Sequence, residues 1–184
     1  MKKVKYFPIL VSFFLFNSLS AQELSTAIAQ KAEALQNQLM QWRRYLHQNP
    51  ELGNREFKTA AYITEQLKDL GLEIKTGIAK TGVVAILKGG KPGPVIALRA
   101  DMDALPVKER VNIPYASTDS SMYGKTKVAV MHACGHDAHV AMLIGTAKVL
   151  AGMKKDFAGT IKFIFQPAEE GAPEGEEGGA ALMV

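Results

Sequence analysis

The stretch from Ala138 to Ala151 limits what this chain can fold into more than any other. Asp137 is placed to cap a helix there, and Val140, Met142, Leu143, Ile144, Val149 and Leu150 fall on nearly every side of it. A helix without a polar face has to be covered by other elements, because apolar surface left in water is unfavourable. The chain has the material to supply that cover, with 47% hydrophobic and 22% charged residues. At 184 residues it allows one domain, or one domain and part of another.

Periodicity supplies the other elements. Leu24, Ile28, Ala32, Leu35, Leu39, Trp42 and Leu46 recur at intervals of three and four, predicting one amphipathic helix that Asn49-Pro50 ends. A second helix is predicted from Arg55 to Leu70, with Asn54 as N-cap, Gly71 as C-cap, and Phe57, Ala60, Ile63, Leu67 and Leu70 on one face. Leu72 to Thr76, Val83 to Leu87, Val95 to Arg99 and Gly159 to Gln166 read as strands. The turn-forming GGKPGP between the second and third predicts that those two pair antiparallel. Residues 112–127 show no clear period and read as loop, and an acidic, glycine-rich loop, AEEGAPEGEEGG, follows the last strand.

The first 21 residues hold a lysine cluster, an apolar run from about Tyr6 to Phe16, and then Ser18, Ser20 and Ala21. This layout is that of a secretory signal peptide cleaved near Ala21, so residues 22–184 are expected to be the mature part and the compartment periplasmic or extracellular. The apolar run falls short of the roughly 20 residues needed to span a bilayer, so no stable membrane anchor is expected. The same segment explains the charge. The net charge is +4, but Lys2, Lys3 and Lys5 account for most of it, and the other 163 residues carry 19 basic against 18 acidic side chains. No basic patch is left to suggest a nucleic-acid partner. Cys134 is the one cysteine, so an exported chain would have no internal disulfide and would rely on packing.

Three clusters can carry chemistry: RADMDALP (99–106), MHACGHDAH (131–139) and QPAEE (166–170). Cys134 and His136 would point about 200° apart on a helix, so a ligand shared between them needs a non-helical backbone, which Gly135 permits. Thiolate with imidazole is a transition-metal pair, although a buried cysteine beside a histidine is the commoner meaning of C-x-H. Asp101 and Asp103, two apart at a strand end, put two carboxylates on one face or merely cap a turn. Glu169 and Glu170 are adjacent and diverge, which suits either solvated surface or a division into metal ligand and general base. His132 and His139 read as supporting or helix-surface groups, and His47 as exposed near a helix end.

Taken together, RRYLHQNPEL, TGVVAIL, ALRADMDALPVKE, MHACGHDAHVAMLIGTAKVL and GTIKFIFQPAEEG resemble, in order and spacing, the M20 family of metallo-amidohydrolases, over about residues 40–184. The resemblance is to the branch that includes hippurate hydrolases, N-acyl-amino-acid amidohydrolases and plant auxin-conjugate hydrolases. It implies a mixed-sheet α/β sandwich, the catalytic domain of a di-metal peptidase. It also implies Cys134, His136 and Glu170 as metal ligands, Glu169 as general base, and Asp103 as an aspartate supporting the metals from behind. Asp101 stands where other branches place a metal-binding histidine and is not expected to be a ligand.

The implied cofactors are two divalent ions, zinc or manganese, with cobalt or nickel as further options. The implied reaction is hydrolysis of the amide bond of an N-acyl amino acid or dipeptide-like substrate. Family enzymes are about twice this long, with two further metal-binding histidines downstream, a lid or dimerisation domain inserted in the catalytic one, and homodimers among the members. No histidine follows His139. The chain is therefore expected to be an N-terminal part holding three of five ligands, without the lid, and inactive alone. Two other readings stand beside this one: a cysteine hydrolase with Cys134 as nucleophile and His136 as base, and a non-catalytic metal-binding module.

Overall fold

A computed structural model of the chain describes residues 22–184, and the expected signal peptide lies outside them. Two units are distinguished, Met1–Gln36 and Asn37–Val184. In the first, residues 22–34 form helix α1. Its apolar residues Leu24 and Ile28 remain about two-fifths exposed. Helix α2 (Gln36–Gln48) belongs to the second unit but for its first residue. The single long helix expected from the spacing is thus interrupted at Leu35, whose N–H bonds back three residues to Ala32 O (3.1 Å), tightening the turn. No helix among the described residues is long and apolar enough to cross a membrane.

In the second unit, α2 is followed by α3 (Phe57–Leu67) with a 3₁₀ turn (Lys68–Leu70), which Gly71 closes at φ +70°. Strands β1 (Glu73–Ile78), β2 (Gly82–Lys88) and β3 (Lys91–Asp101) come next, then the hairpin β4 (Ser120–Tyr123) and β5 (Thr126–Ala129). Helix α4 (His136–Ala151), strand β6 (Ala158–Gln166) and the short α5 (Gly179–Met183) complete the chain. The main sheet has the order β1-β2-β6-β3 and is mixed, as the fold class expected from the resemblance requires.

β2 and β3 do not pair, contrary to the expectation from GGKPGP. β6 lies between them, antiparallel to β2 from Val83↔Phe165 to Lys88↔Thr160, and parallel to β3 from Val95↔Thr160 to Asp101↔Gln166. The turn is stitched to the start of β6 instead of closing a hairpin, with Gly89 N donating to Gly159 O and Gly90 N to Phe157 O. β2 and β3 still run in opposite directions. The central place goes to the strand carrying Phe163 and Phe165, both fully buried, and each such side chain is worth about 1.5–3 kcal/mol over an exposed one.

The core lies between one face of this sheet and the helices. Val83, Ala85, Leu87, Ala100, Phe163 and Phe165 meet Ile63 and Leu67 of α3, Val140, Ala141, Ile144 and Ala147 of α4, and Trp42 and Leu46 of α2. The burial expected for α4 holds except at Met142, which is half exposed, and at Leu150, which is partly buried.

Other local expectations need correction. Asn54 is not the N-cap of α3: it sits at φ +60°, and Glu56 occupies the cap position without a side-chain cap bond. The orphan N–H groups of the first turn are met instead by Glu51, which accepts from Lys58 N (3.2 Å) and from Thr59 N and Oγ1 (2.8 and 2.9 Å). Phe57, expected on the buried face, is 62% exposed, because the residues that turn inward are Thr59, Ile63 and Leu67, a face centred about 120° around the helix from it. Residues 112–127, expected to be loop, contain β4 and the start of β5. Gly124 at φ +60° takes the first of two loop positions, where hairpin twist favours glycine. Asp137 does not cap α4 either: Gly135 stands at the cap with φ +108°, and Asp137 lies inside the first turn.

Candidate metal centre

β3 and β6 are parallel neighbours, so their carboxyl ends open at the same edge of the sheet. Asp101 faces Gln166 across the pair, and Met102 N donates to Gln166 O (3.0 Å). The RADMDALP and QPAEE loops therefore leave side by side, which is where ligand crevices form in α/β sheets. Two isolated bridges tie the surroundings in. Leu52 pairs with Ala104 and Leu105 with Met131, over a small apolar cluster of Leu52, Ala104 and Val130. The second bridge brings the MHACGHD loop, and with it the start of α4, to the same place.

One donor atom each from Cys134, His136 and Glu170 lies within 4.8 Å of the others. Gly135 makes this possible by taking a conformation that residues with side chains rarely adopt, so Cys134 stays in the loop while His136 begins the helix. His136 is buried and Cys134 exposed.

His136 Nδ1–H donates to the Asp103 carbonyl oxygen (2.9 Å), and Asp103 Oδ1 is 3.4 Å from the same nitrogen. This bond places the proton on Nδ1 of the neutral ring and leaves the Nε2 lone pair for a metal, on the side facing Glu169 Oε2 at 3.7 Å and Glu170 Oε1 at 3.8 Å. The Asp103 carboxylate, opposed by burial, holds the imidazole up at about 9. The Glu170 carboxylate pushes the Cys134 thiol above its ordinary value, with burial adding to it. Negative charge gathered around a thiol and an imidazole suits a cation.

Asp103 is 1% exposed; its Oδ2 accepts Glu170 N (2.9 Å), while its Oδ1 and the Oε1 of Glu170 are buried without a hydrogen-bond partner. Soft thiolate, imidazole and hard carboxylate with unsatisfied oxygens are a donor set that fits zinc or a similar divalent ion. Glu169 is the more open of the two glutamates, with its side chain 41% exposed against 20% for Glu170.

Asp101 stands outside this donor group. It is buried, with Oδ1 2.9 Å from Arg99 Nη1, and its N–H donates to His139 Nδ1 (3.2 Å). His132 is buried with neither ring nitrogen partnered, and burial pushes its pKa down to about 4. His47, expected to be exposed, is 4% exposed: its Nδ1 lies 2.8 Å from Asp137 Oδ2 and its Nε2 2.9 Å from Glu109 Oε2. Arg43 Nε donates to the same Asp137 oxygen (2.9 Å). The first turn of α4 is thereby anchored to α2 immediately next to His136. Partners 90 residues apart leave no local trace in the sequence, so periodicity could not reveal this.

The segment Gly53–Glu56 holds the QPAEE loop from behind. Glu56, fully buried, accepts from Ala168 N (2.8 Å) and from Thr81 Oγ1 (2.6 Å). Ala168 sits at φ +46°, a strained conformation costing about 1–3 kcal/mol for a non-glycine residue. Asn54 Nδ2 donates to Glu176 Oε2 and Glu177 O (both 3.0 Å), and Arg55 Nη2 to Glu176 Oε1 (2.6 Å), fastening the acidic loop downstream. Arg55, then Lys80, hold the Glu176 carboxyl down at about 2.

Gly53 runs so close to this loop that a Cβ on it would be 2.4 Å from Gly171 O and 3.1 Å from Ala168 Cα. Gly53→Ala is accordingly expected to lower stability by about 1–3 kcal/mol, the usual cost of overpacking. Denaturant unfolding would check this, and a midpoint equal to that of the unmodified protein would show that the two segments part freely.

Comparison with known proteins gives the site a context. Residues 97–184 match the model of Peptidase family M20/M25/M40. The chain is 43% identical over 163 residues to thermostable carboxypeptidase 2 of Saccharolobus solfataricus, covering 88% of this chain and 39% of that one. It is 43% identical over 150 residues to an N-acyl-L-amino acid amidohydrolase of Geobacillus stearothermophilus, covering 82% and 38%. Among solved structures, a Bacillus subtilis dinuclear metal-binding peptidase of the M20 family superposes with a TM-score of 0.67 at 45% identity, covering 75% of this chain and 37% of that one. The chain thus spans less than two-fifths of the length of each. The three motif clusters meet at one edge of a sheet within a fold that superposes on a solved member, and the chain belongs to peptidase family M20/M25/M40.

Proposed function

We propose that the whole protein is a metal-dependent amidohydrolase that cleaves the amide bond of N-acyl amino acids or dipeptide-like substrates, releasing a carboxylic acid and an amino acid. The observation that carries this reading is the convergence of Cys134, His136 and Glu170 within 4.8 Å at the carboxyl end of a parallel strand pair, with Glu169 beside them. These three would hold metal, as part of a site for two divalent ions, zinc or manganese. A divalent ion there supplies Lewis acidity, polarising the amide carbonyl and bringing the pKa of water down toward about 7.

The residues of the chain divide the remaining work. Asp103 fixes the His136 ring through its carbonyl and the Glu170 backbone through its carboxylate, so both donors are oriented before any substrate arrives. Glu169 takes a proton from the attacking water as its oxygen bonds to the carbonyl carbon. It then returns that proton to the leaving nitrogen as the C–N bond breaks. A cysteine-hydrolase reading has less support, since no hydrogen bond joins the Cys134 thiol to the His136 ring among the described residues, and that ring is engaged by Asp103. The layout of residues 1–21 supports export to the periplasm or beyond, and the family resemblance supports a homodimer.

The test is metal removal. The whole protein, stripped by a chelator, is expected to lose release of free amino acid from N-acetyl amino acids and hippurate, and to regain it on adding back zinc, manganese or cobalt. Hydrolysis that survives complete removal of metal would overturn the reading.

A further inference from the structure

We propose that Glu56 is a positioning residue for the Glu169 and Glu170 pair: its carboxylate holds Ala168 in a left-handed conformation, and that turn sets the two following glutamates against Cys134 and His136. The inference rests on the metal reading of those donors and adds a residue that lies 112 positions from Ala168 in sequence.

A buried carboxylate is costly unless its oxygens are used, and Glu56 forms no ion pair among the described residues. A leucine of similar volume would pack in the same place at lower cost. What leucine cannot supply is an acceptor. One Glu56 oxygen takes the Ala168 N–H and the other takes the Thr81 hydroxyl, so Thr81 orients the carboxylate toward the loop. Ala168 has no glycine freedom at φ +46°, so the conformation persists only if its surroundings impose it.

The other contacts on this turn run in the same direction. Ala168 O accepts Gly179 N (3.2 Å), and Gly53 packs against the Ala168 Cα and Cβ. Beyond the turn, Asp103 Oδ2 receives Glu170 N. The loop is therefore gripped at Ala168 and at Glu170, and Glu169 lies between the two grips. Burial also pushes the Glu56 carboxyl above its ordinary value, so a neutral amide is well suited to the same pocket.

Cobalt(II) titration of the whole protein, followed by thiolate-to-cobalt absorption, reads the site without depending on turnover. Glu56→Gln keeps an acceptor for Ala168 N–H and can donate to Thr81, so cobalt affinity is expected to stay close to that of the unmodified protein. Glu56→Leu fills the volume without the acceptor, and affinity is expected to fall roughly 10-fold or more, as for other supports behind metal ligands. Thr81→Val leaves the carboxylate with one partner fewer and is expected to give a smaller fall in the same direction, which keeps the test decisive if the leucine variant does not fold.

A folded Glu56→Leu or Thr81→Val with unchanged affinity and spectrum would overturn the proposal, as would a Glu56→Gln as weak as Glu56→Leu. Glu170→Ala separates the metal site from the positioning role. If that variant loses cobalt while the Glu56 and Thr81 variants keep it, the site stands and the positioning role falls. If the unmodified protein shows no thiolate-to-cobalt absorption, the metal reading falls and the positioning role with it.

Discussion

Cys134→Ala is expected to leave the whole protein unable to retain its divalent metal. The thiol is the softest of the three converging donors, and with it gone only an imidazole and a carboxylate remain from this part of the chain. Changes behind a ligand already cost 10-fold to 100-fold in metal affinity, so removing a ligand outright should exceed about 100-fold. The fold should not suffer. Cys134 is exposed and takes no part in the core, so the thermal transition of the metal-free variant should match that of the metal-free parent. Metal content after exhaustive dialysis, together with loss of thiolate-to-cobalt absorption, checks the expectation. A variant that keeps its full metal complement would remove Cys134 from the ligand set.

Elements whose identity depends on local periodicity were legible in the sequence, and their partners were not. The apolar run of α4, the strand carrying Phe163 and Phe165, and the Gly71 stop after α3 all declare themselves within a few residues. The pairing of β2 with β6 across 72 to 82 positions does not, because strand partners are chosen by which apolar faces fill the centre of the sheet. GGKPGP reads as a hairpin turn because its composition permits one. It becomes a stitched crossing because β6, with Phe163 and Phe165 fully buried, takes the place between β2 and β3. Phe57 shows the same limit on a smaller scale, since a spacing rule gives an apolar face but not which residue of its rim turns inward.

The candidate site divides in the same way. Cys134, Gly135 and His136 can be read together because chain geometry alone says what a glycine between two donors allows, and its φ of +108° is the non-helical conformation that a shared ligand requires. The supports behind them lie far off in sequence. His47 reaches Asp137 over 90 residues and Glu56 reaches Ala168 over 112, and neither makes a motif with its partner. A histidine near a helix end and a glutamate at a helix start have ordinary explanations at the sequence level. Only the fold, by bringing α2 to α4 and the start of α3 to the end of β6, turns them into parts of the site.

The two adjacent glutamates are best separated by Glu169→Gln, which is expected to lower turnover roughly 100-fold or more, the usual weight of a general base, with metal content unchanged. The amide matches the carboxylate in size and can still hydrogen-bond, but it cannot take a proton at neutral pH, so only proton transfer is removed. Local geometry supports this division. Glu169 is the more exposed of the pair and open to an incoming substrate, while the Glu170 backbone is tied to Asp103 and one Glu170 oxygen is buried without a partner. Glu170→Ala should therefore show the opposite pattern, with metal lost and activity lost as a consequence. Activity retained in Glu169→Gln would show that another group carries the proton. Metal lost together with activity in that variant would mean that the two glutamates exchange roles and that the more exposed one is the ligand.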